Sequence, residues 1–353
     1  MKTRLLFLFL ALVAGVLLFA GVQSGLLSAP RPAGWPAPAS AAPGPAVAAP
    51  AAPDKVAVTI LHINDTHGQT EPYTENDKSI GGYARLATLV QDARASSQAA
   101  RVFLVHAGDE LSRSDQLTRA TLGAANVAIW NRLGFDIWVP GNGDYYDGVD
   151  VLRARIREFK GTVLAANVVV AAGNAPLAKP YIIHQAGPVR IAFLGLCFLS
   201  PGEPTTALFR VADATTTAKA LAADLRKQAD VVVAVTHLGH WPDRRMAAAV
   251  EGLDLIIGGH SHTVLPTGTR IKDPGGKEVL IVQVGESMRY LGRVDLVLTK
   301  ADGAWRIAES WASLIAIDDK VKLDPTMKAL IANLFDKATR GAPAEAPVPA
   351  GSP

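Results

Sequence analysis

"VAVTILHINDTHG", residues 56–68, is an apolar, β-branched run that stops abruptly at Asn64-Asp65-Thr66-His67-Gly68. Val, Ile and Thr suit a strand, and the polar cluster with glycine suits the turn after it. The same pattern recurs along the chain. "RVFLVHA" (101–107) runs into Gly108-Asp109-Glu110, and "FDIWVP" (135–140) into Gly141-Asn142-Gly143-Asp144. "VVVAVT" (231–236) runs into His237-Leu238-Gly239-His240, and "LDLIIGG" (253–259) into His260-Ser261-His262. Further strand-like runs are "TVLAANVVV" (162–170), "VRIAFLGLCFL" (189–199), "VLIVQVG" (279–285) and "RVDLVLTK" (293–300). Several are apolar throughout, as in strands buried on both faces. Between them, "GYARLATLVQDARAS", "GAANVAIWNRLG" and "TAKALAADLRKQA" carry apolar residues at helical spacing. Strands alternating with helices predict an α/β layered domain, and the strand count suits two packed sheets.

The residues at the strand ends share a chemistry. Taken singly, an Asp or Asn there is ordinary turn chemistry, and a lone histidine is ordinary packing. Together, five strand ends deliver seven nitrogen and oxygen donors: Asp65, His67, Asp109, Asn142, His237, His260 and His262. The carboxyl edge of an α/β sheet is where such folds place their sites. Asp-x-His and His-x-His each turn two donors the same way on an extended segment. Mixed imidazole and carboxylate donors suit zinc, manganese or iron rather than calcium. Seven donors exceed one tetrahedral ion. They suit two ions about 3.5–4 Å apart that share a bridging carboxylate.

The 353 residues carry 35 Lys+Arg against 32 Asp+Glu, a formal net charge of +3. That balance gives no argument for a nucleic-acid partner. The single cysteine, Cys197, sits in an apolar run, can form no internal disulfide and reads as a core residue. Residues 1–24 open with Lys2 and Arg4 and continue apolar from Leu5 to Val22. They read as a signal peptide, or as an uncleaved signal anchoring the chain in an inner membrane through residues 5–22. Residues 25–54 are mostly Ala and Pro and read as a tether. Residues 338–353 have the same composition and read as a disordered tail. The folded domain is expected over residues 55–337, in a periplasmic or exported location.

The ordered set Asp-x-His, Gly-Asp, Gly-Asn, His and Gly-His-x-His resembles the calcineurin-like metallophosphoesterases. The flanking text is similar to their 5′-nucleotidase branch. The likeness rests on "ILHINDTHG", "GGYARLATL", "HAGDELS", "LGFDIWVPGN", "VVVAVTHLG" with Asp243 six residues after His237, "LDLIIGGHSHT" and "VQVGESMRYLGRVDL". It runs from about Val58 to Leu298. The resemblance implies an α/β two-sheet β-sandwich flanked by helices. It implies two divalent metal ions, Mn2+, Zn2+ or Fe2+. Asp65, His67, Asp109 and His262 would hold one; Asn142, His237 and His260 would hold the other, with Asp109 bridging. The implied reaction is hydrolysis of a small phosphorylated substrate, nucleotides included, by metal-activated water.

The chain departs from that family at one place. The family pattern reads Gly-Asn-His-Glu-Phe-Asp where this sequence reads Gly141-Asn142-Gly143-Asp144-Tyr145-Tyr146. The resemblance thus puts a histidine at 143 and its orienting aspartate at 146, a pair that stabilises the transition state. Loss of one such donor costs roughly several hundredfold in rate. Asp144, Tyr145 or Tyr146 could stand in, since a phenol also donates a hydrogen bond. The periplasmic thiosulfohydrolases of sulfur oxidation are similar to this branch and lack the same pair. Hydrolysis of a sulfur oxoanion conjugate, and metal binding with weak catalysis, are therefore the alternatives. Full 5′-nucleotidases also carry a C-terminal domain whose aromatic residues hold the base, so tight nucleotide specificity is not expected here. Asn142, Asp144, His240 and Arg289 are the expected catalytic residues, with Trp241 beside them in the pocket. Arg289 is chosen because a guanidinium matches phosphate or sulfate geometry. His62 and His106, inside their strands, read as core or as supports behind the ligands.

Overall fold

Two six-stranded sheets carry the chain. Numbering only their strands, in chain order, these are β1 (Lys55–Ile63), β2 (Arg101–His106), β3 (Ile137–Trp138), β4 (Thr162–Val163), β5 (Tyr181–Ala186), β6 (Val189–Cys197), β7 (Val231–His237), β8 (Leu255–Ile257), β9 (Thr269–Lys272), β10 (Glu278–Val282), β11 (Tyr290–Ala301) and β12 (Ala304–Ala316). The computed structural model describes residues 54–111, 115–200, 202 and 204–341. The signal segment and the tether up to residue 53 lie outside the described residues. No helix among the described residues is long and apolar enough to cross a membrane.

The first sheet has the order β12-β11-β1-β2-β3-β4 and the second β9-β10-β8-β7-β6-β5. In each, four strands run parallel: β1 to β4 in one, β6, β7, β8 and β10 in the other. Antiparallel strands close both edges of the second sheet and one edge of the first, whose other edge is the parallel strand β4. Strand β7 shows why layers form. Val231, Val233 and Val235 join the core shared with the first sheet, while Val232 and Ala234 face a second cluster. Alternation along a strand sends successive side chains to opposite faces. Phe103 of β2 and Phe193 of β6 meet edge to face across the shared core, centroids 5.1 Å apart. Each fully buried side chain of this size stabilises the fold by roughly 1.5–3 kcal/mol.

The helices are α1 (Tyr83–Ser96), α2 (Gln116–Thr121), α3 (Ala124–Leu133), α4 (Gly148–Glu158), α5 (Ala214–Leu225), α6 (His240–Ala249) and α7 (Pro325–Gly341). Helices α5 and α6 cover the second cluster with Ala218, Ala222, Leu225, Met246 and Ala247. The expected α/β two-sheet sandwich flanked by helices is the observed architecture.

Three expectations need correction. The run "TVLAANVVV" is not one strand. It splits into β4 and a separate strand Val168–Val170, which pairs with Ala175–Pro176 and Phe209–Val211 in a small sheet. Asn167 makes the break: its amide exchanges hydrogen bonds with the backbone of Cys197, N–H to Oδ1 and Nδ2 to O, both at 2.9 Å. Strand β12 is absent from the apolar runs because it is an edge strand with mostly exposed or half-buried residues. Residues 338–341 belong to α7, which buries Met327 and Ile331 against the main core, rather than to the expected tail. Residues 342–353 lie outside the described residues.

Candidate metal centre

The carboxyl ends of the parallel strands of both sheets converge. Asp65 and His67 follow β1, Asp109 follows β2, Asn142 follows β3, His237 ends β7, and His260 and His262 follow β8. Five of these seven residues, Asp65, His67, Asp109, His260 and His262, have positive φ between 49° and 77°. Non-glycine residues enter that left-handed region at a cost, and such outliers gather at functional sites. The approach is close enough to demand glycine at Gly108. A Cβ there would stand 2.5 Å from the Gly141 nitrogen and 2.6 Å from His237 Nδ1, at a φ of 92°.

The donors fall into two groups that share one residue. Asp65, His67 and His262 present atoms within 4.8 Å of one another, and so do Asp65, Asp109 and His237. Asp65 Oδ1 lies 3.3 Å from His262 Nε2 and 3.8 Å from His237 Nε2. Asp65 Oδ2 is held by the Asn64 side chain at 2.6 Å and the His260 N–H at 2.8 Å. His67 Nε2 and His262 Nε2 stand 3.1 Å apart. His237 Nδ1 contacts the Ala107 carbonyl at 2.7 Å, which places the ring proton there and leaves Nε2 basic. His260 belongs to neither group, but its ring centroid lies 5.2 Å from that of His237. Asn142 Nδ2 donates to the Tyr146 hydroxyl at 2.9 Å, so the amide oxygen is turned away from it.

Three buried polar atoms without a hydrogen bond lie at this place: Asp65 Oδ1, His237 Nε2 and Asn142 Oδ1. Buried polar groups are normally satisfied, so an orphaned set of acceptors calls for a cation. The charges agree. Burial opposes charge on His237, but the carboxylates of Asp109 and Asp65 overcome it and push the imidazole up to about 10. Burial likewise opposes the Asp109 anion, yet His237 holds it well below the usual carboxylate range. The Asp65 contact raises His262 as well. A proton on these rings does what a divalent ion would do better, and the donor set carries no thiolate that would require another metal class.

Other expected residues fall elsewhere. The resemblance puts the bridge at Asp109, whereas the carboxylate common to both groups is that of Asp65. Asp144 is not exposed to the centre. It is buried, and its carboxylate accepts the backbone N–H of Asp109, Glu110, Leu111 and Gly141 at 3.1, 3.0, 2.6 and 2.8 Å. It ties the loop after β2 to the loop after β3. Asp144→Ala would leave those donors buried and unpaired, so we expect a loss above about 3 kcal/mol, seen as a fall in Tm of roughly 10 °C. An unchanged melting curve would contradict this role. Arg289 is not available to an anion. It forms a two-pronged pair with Glu75 at 2.6 and 3.2 Å and lies 3.6 Å from Glu286. A guanidinium that matches phosphate matches a carboxylate equally well, and here the carboxylate is built in. His62 is buried in the core against Gly292 of β11, and burial lowers it to about 3. His106 is buried behind the loop, 3.2 Å from Thr66 Oγ1 and 3.4 Å from Glu110 Oε2. His240 opens α6, and its N–H donates to Ser261 Oγ at 2.9 Å.

Several supporting residues escape the sequence reading. Asn64 joins Asp65 to the Gly285 carbonyl at 2.7 Å and accepts the Val284 N–H at 3.0 Å. Gln283 cradles the Gly-His-Ser-His loop, accepting from Ser261 Oγ at 2.9 Å and the Thr263 N–H at 2.5 Å while donating to the Gly259 carbonyl at 2.8 Å. Glu286 Oε2 stands 3.1 Å from His262 Nδ1. Only adjacency to the motif residues hinted at these roles.

Asp243 is buried, with Thr236 Oγ1 donating to one oxygen at 2.8 Å and the other oxygen unpaired. Burial raises its carboxyl to about 7. A carboxyl raised in the fold stabilises it fully only below the unfolded value near 4 and loses that contribution as pH climbs through 7. Asp243→Asn stays neutral throughout. It should flatten the fall in stability between about pH 4 and 7, by roughly 2–4 kcal/mol at the upper end. Parallel Tm-against-pH curves for the two proteins would refute this.

The calcineurin-like phosphoesterase family profile matches residues 58–264. The 5′-nucleotidase of Bos taurus is 28% identical over 304 residues, 77% of this chain and 51% of that protein. The 5′-nucleotidase of Homo sapiens is 30% identical over 307 residues, with the same shares of 77% and 51%. The chain thus spans about half the length of these relatives. Among solved structures, a 5′-nucleotidase precursor from Thermus thermophilus superposes with a TM-score of 0.71 at 24% identity, over 80% of this chain and 59% of that one. The sulfate thiohydrolase SoxB of Thermus thermophilus gives 0.69 at 21% identity, over 80% and 61%. At these identities the structures speak to the fold alone. The profile match spans the strands that deliver all seven donors, and on that ground the chain belongs to the calcineurin-like phosphoesterase family.

Proposed function

We propose that this protein hydrolyses phosphate esters with two divalent metal ions. The observation that carries the proposal is the pair of donor groups sharing Asp65, with its unpaired buried atoms facing inward. Asp65, His67 and His262 would hold one ion. Asp109, Asn142, His237 and His260 would hold the other, with Asp109 the further candidate for a bridge. Mn2+, Zn2+ and Fe2+ all suit these donors. When bound, such ions clamp phosphoryl oxygens and lower the pKa of a water molecule.

The protein's own contribution is pre-organisation. The Ala107 carbonyl fixes the His237 tautomer, Tyr146 fixes the Asn142 amide, and Asp144 clamps the loop that carries Asp109. Each holds a ligand in one orientation before any ion arrives, which is how positioning residues raise metal affinity. The substrate class is a small phosphomonoester, nucleotides included, and the apolar start of residues 1–24 supports an exported location.

The test is turnover by the full chain with added Mn2+ on phosphomonoesters, phosphodiesters, nucleotides and a thiosulfonate conjugate, with His260→Ala as the blank. Release of phosphate that disappears in the blank is the expected result. Turnover of the sulfur compound alone would transfer the reading to sulfur oxoanion conjugates. Inactivity throughout, with metal bound, would leave a metal-binding protein of weak catalytic power.

A further inference from the structure

A cleft of about 620 Å³ opens beside the metal centre and shares His260 with it. This size lies in the range of small-molecule sites, about 300–1,000 Å³. The His260 ring is 5.2 Å from His237 on one contact and 4.9 Å from Phe198 on another. Phe198, Leu238, Trp241, Pro242 and Val211 give the cleft apolar walls. Trp241 is 67% exposed and belongs to neither core cluster. An indole on the wall of a cleft offers a ligand a flat apolar face. The Arg244 guanidinium lies 5.8 Å over its ring.

The floor is preformed. Asn167 fastens β6 through Cys197 and reaches the Ala212 carbonyl at 3.1 Å. The acidic and basic side chains on the walls are one of each sign, Asp213 and Arg245, and Asp213 is committed to capping α5 at the Thr216 N–H, 2.7 Å. A flat, apolar group would stack on Trp241 and Phe198 at little ordering cost.

We infer that this cleft receives the leaving-group half of the ester and selects planar aromatic alcohols, with Trp241 and Phe198 as specificity-determining residues. The inference rests on the phosphate-ester reading of the centre. His260 lies on the cleft wall and beside His237, so the cleft is the space next to the centre that a leaving group would enter.

Benzyl and propyl phosphate have leaving alcohols of similar acidity, so their ratio of kcat/KM reads the cleft and not bond strength. With the full chain and Mn2+, benzyl phosphate should be preferred about tenfold or more. Trp241→Leu should bring the ratio near one, and Trp241→Phe should restore most of it. A ratio near one in the unaltered protein, or one that survives Trp241→Leu, would overturn the inference while hydrolysis itself upheld the centre. If neither ester is hydrolysed, the phosphate-ester reading fails, and calorimetry with benzylphosphonate and propylphosphonate decides the cleft separately. Tighter binding of the benzyl compound, lost in Trp241→Leu, would support it; equal binding would overturn it.

Discussion

Gly143→His should raise phosphatase turnover, by about a hundredfold on the magnitude of one positioned donor at a transition state. The backbone at this position does not demand glycine. Gly143 lies in a short 3-10 turn, Asn142–Tyr145, and is not among the glycines with positive φ. Its N–H donates to Asp109 Oδ1 at 2.7 Å, an interaction that any residue can keep. A histidine there would stand one residue from Asn142, beside the group that holds Asp109 and His237. The gain should be partial, because the orienting aspartate of the family pattern is Tyr146 here. That tyrosine has its own work: its hydroxyl accepts from Asn142. Gly143→His combined with Tyr146→Asp should therefore trade orientation of the new imidazole against looseness of Asn142. Steady-state kcat with saturating Mn2+ measures both variants. A histidine variant no faster than the unaltered protein would show that Gly143 is not the site of a missing catalytic group.

Asp65→Asn should lower turnover by at least roughly a thousandfold, a barrier increase of about 4 kcal/mol, and reduce bound metal from two ions to one or none. The substitution barely changes shape. Asp65 Oδ2 accepts two N–H donors, from Asn64 and His260, and an asparagine must keep its oxygen there. Its NH2 group would then occupy the position of Oδ1, the atom that faces both His262 and His237. Two hydrogens would point where cations are expected. Metal content and kcat of the same preparation check this, and retention of two ions with near-normal turnover would remove Asp65 from the shared position.

What the sequence reveals divides along a physical line. The seven candidate donors are legible because they gather at the ends of apolar strands, and strand ends in an α/β sheet lie at one edge. The supports are not legible, because a side chain's partner is a tertiary fact. Asp144 beside Asn142 reads as catalytic, yet its carboxylate turns back onto four backbone N–H groups. Arg289 reads as an anion contact, and Glu75, from a distant hairpin, already supplies the anion. Asn167 sits in a run of apolar residues that reads as continuous strand, and only its hydrogen bonds to Cys197 show why the strand breaks. Edge strand β12 lacks the apolar continuity of the central strands because one side of it meets solvent.

The most direct test of the proposed two-ion site is a titration of Mn2+ into metal-free full-length protein, counting bound metal and measuring phosphomonoester hydrolysis in the same samples. The expected result is that two ions bind per chain and that turnover rises with the second. Binding of one ion or none, or turnover that is indifferent to Mn2+, would contradict the two-ion assignment of Asp65, His67, Asp109, Asn142, His237, His260 and His262.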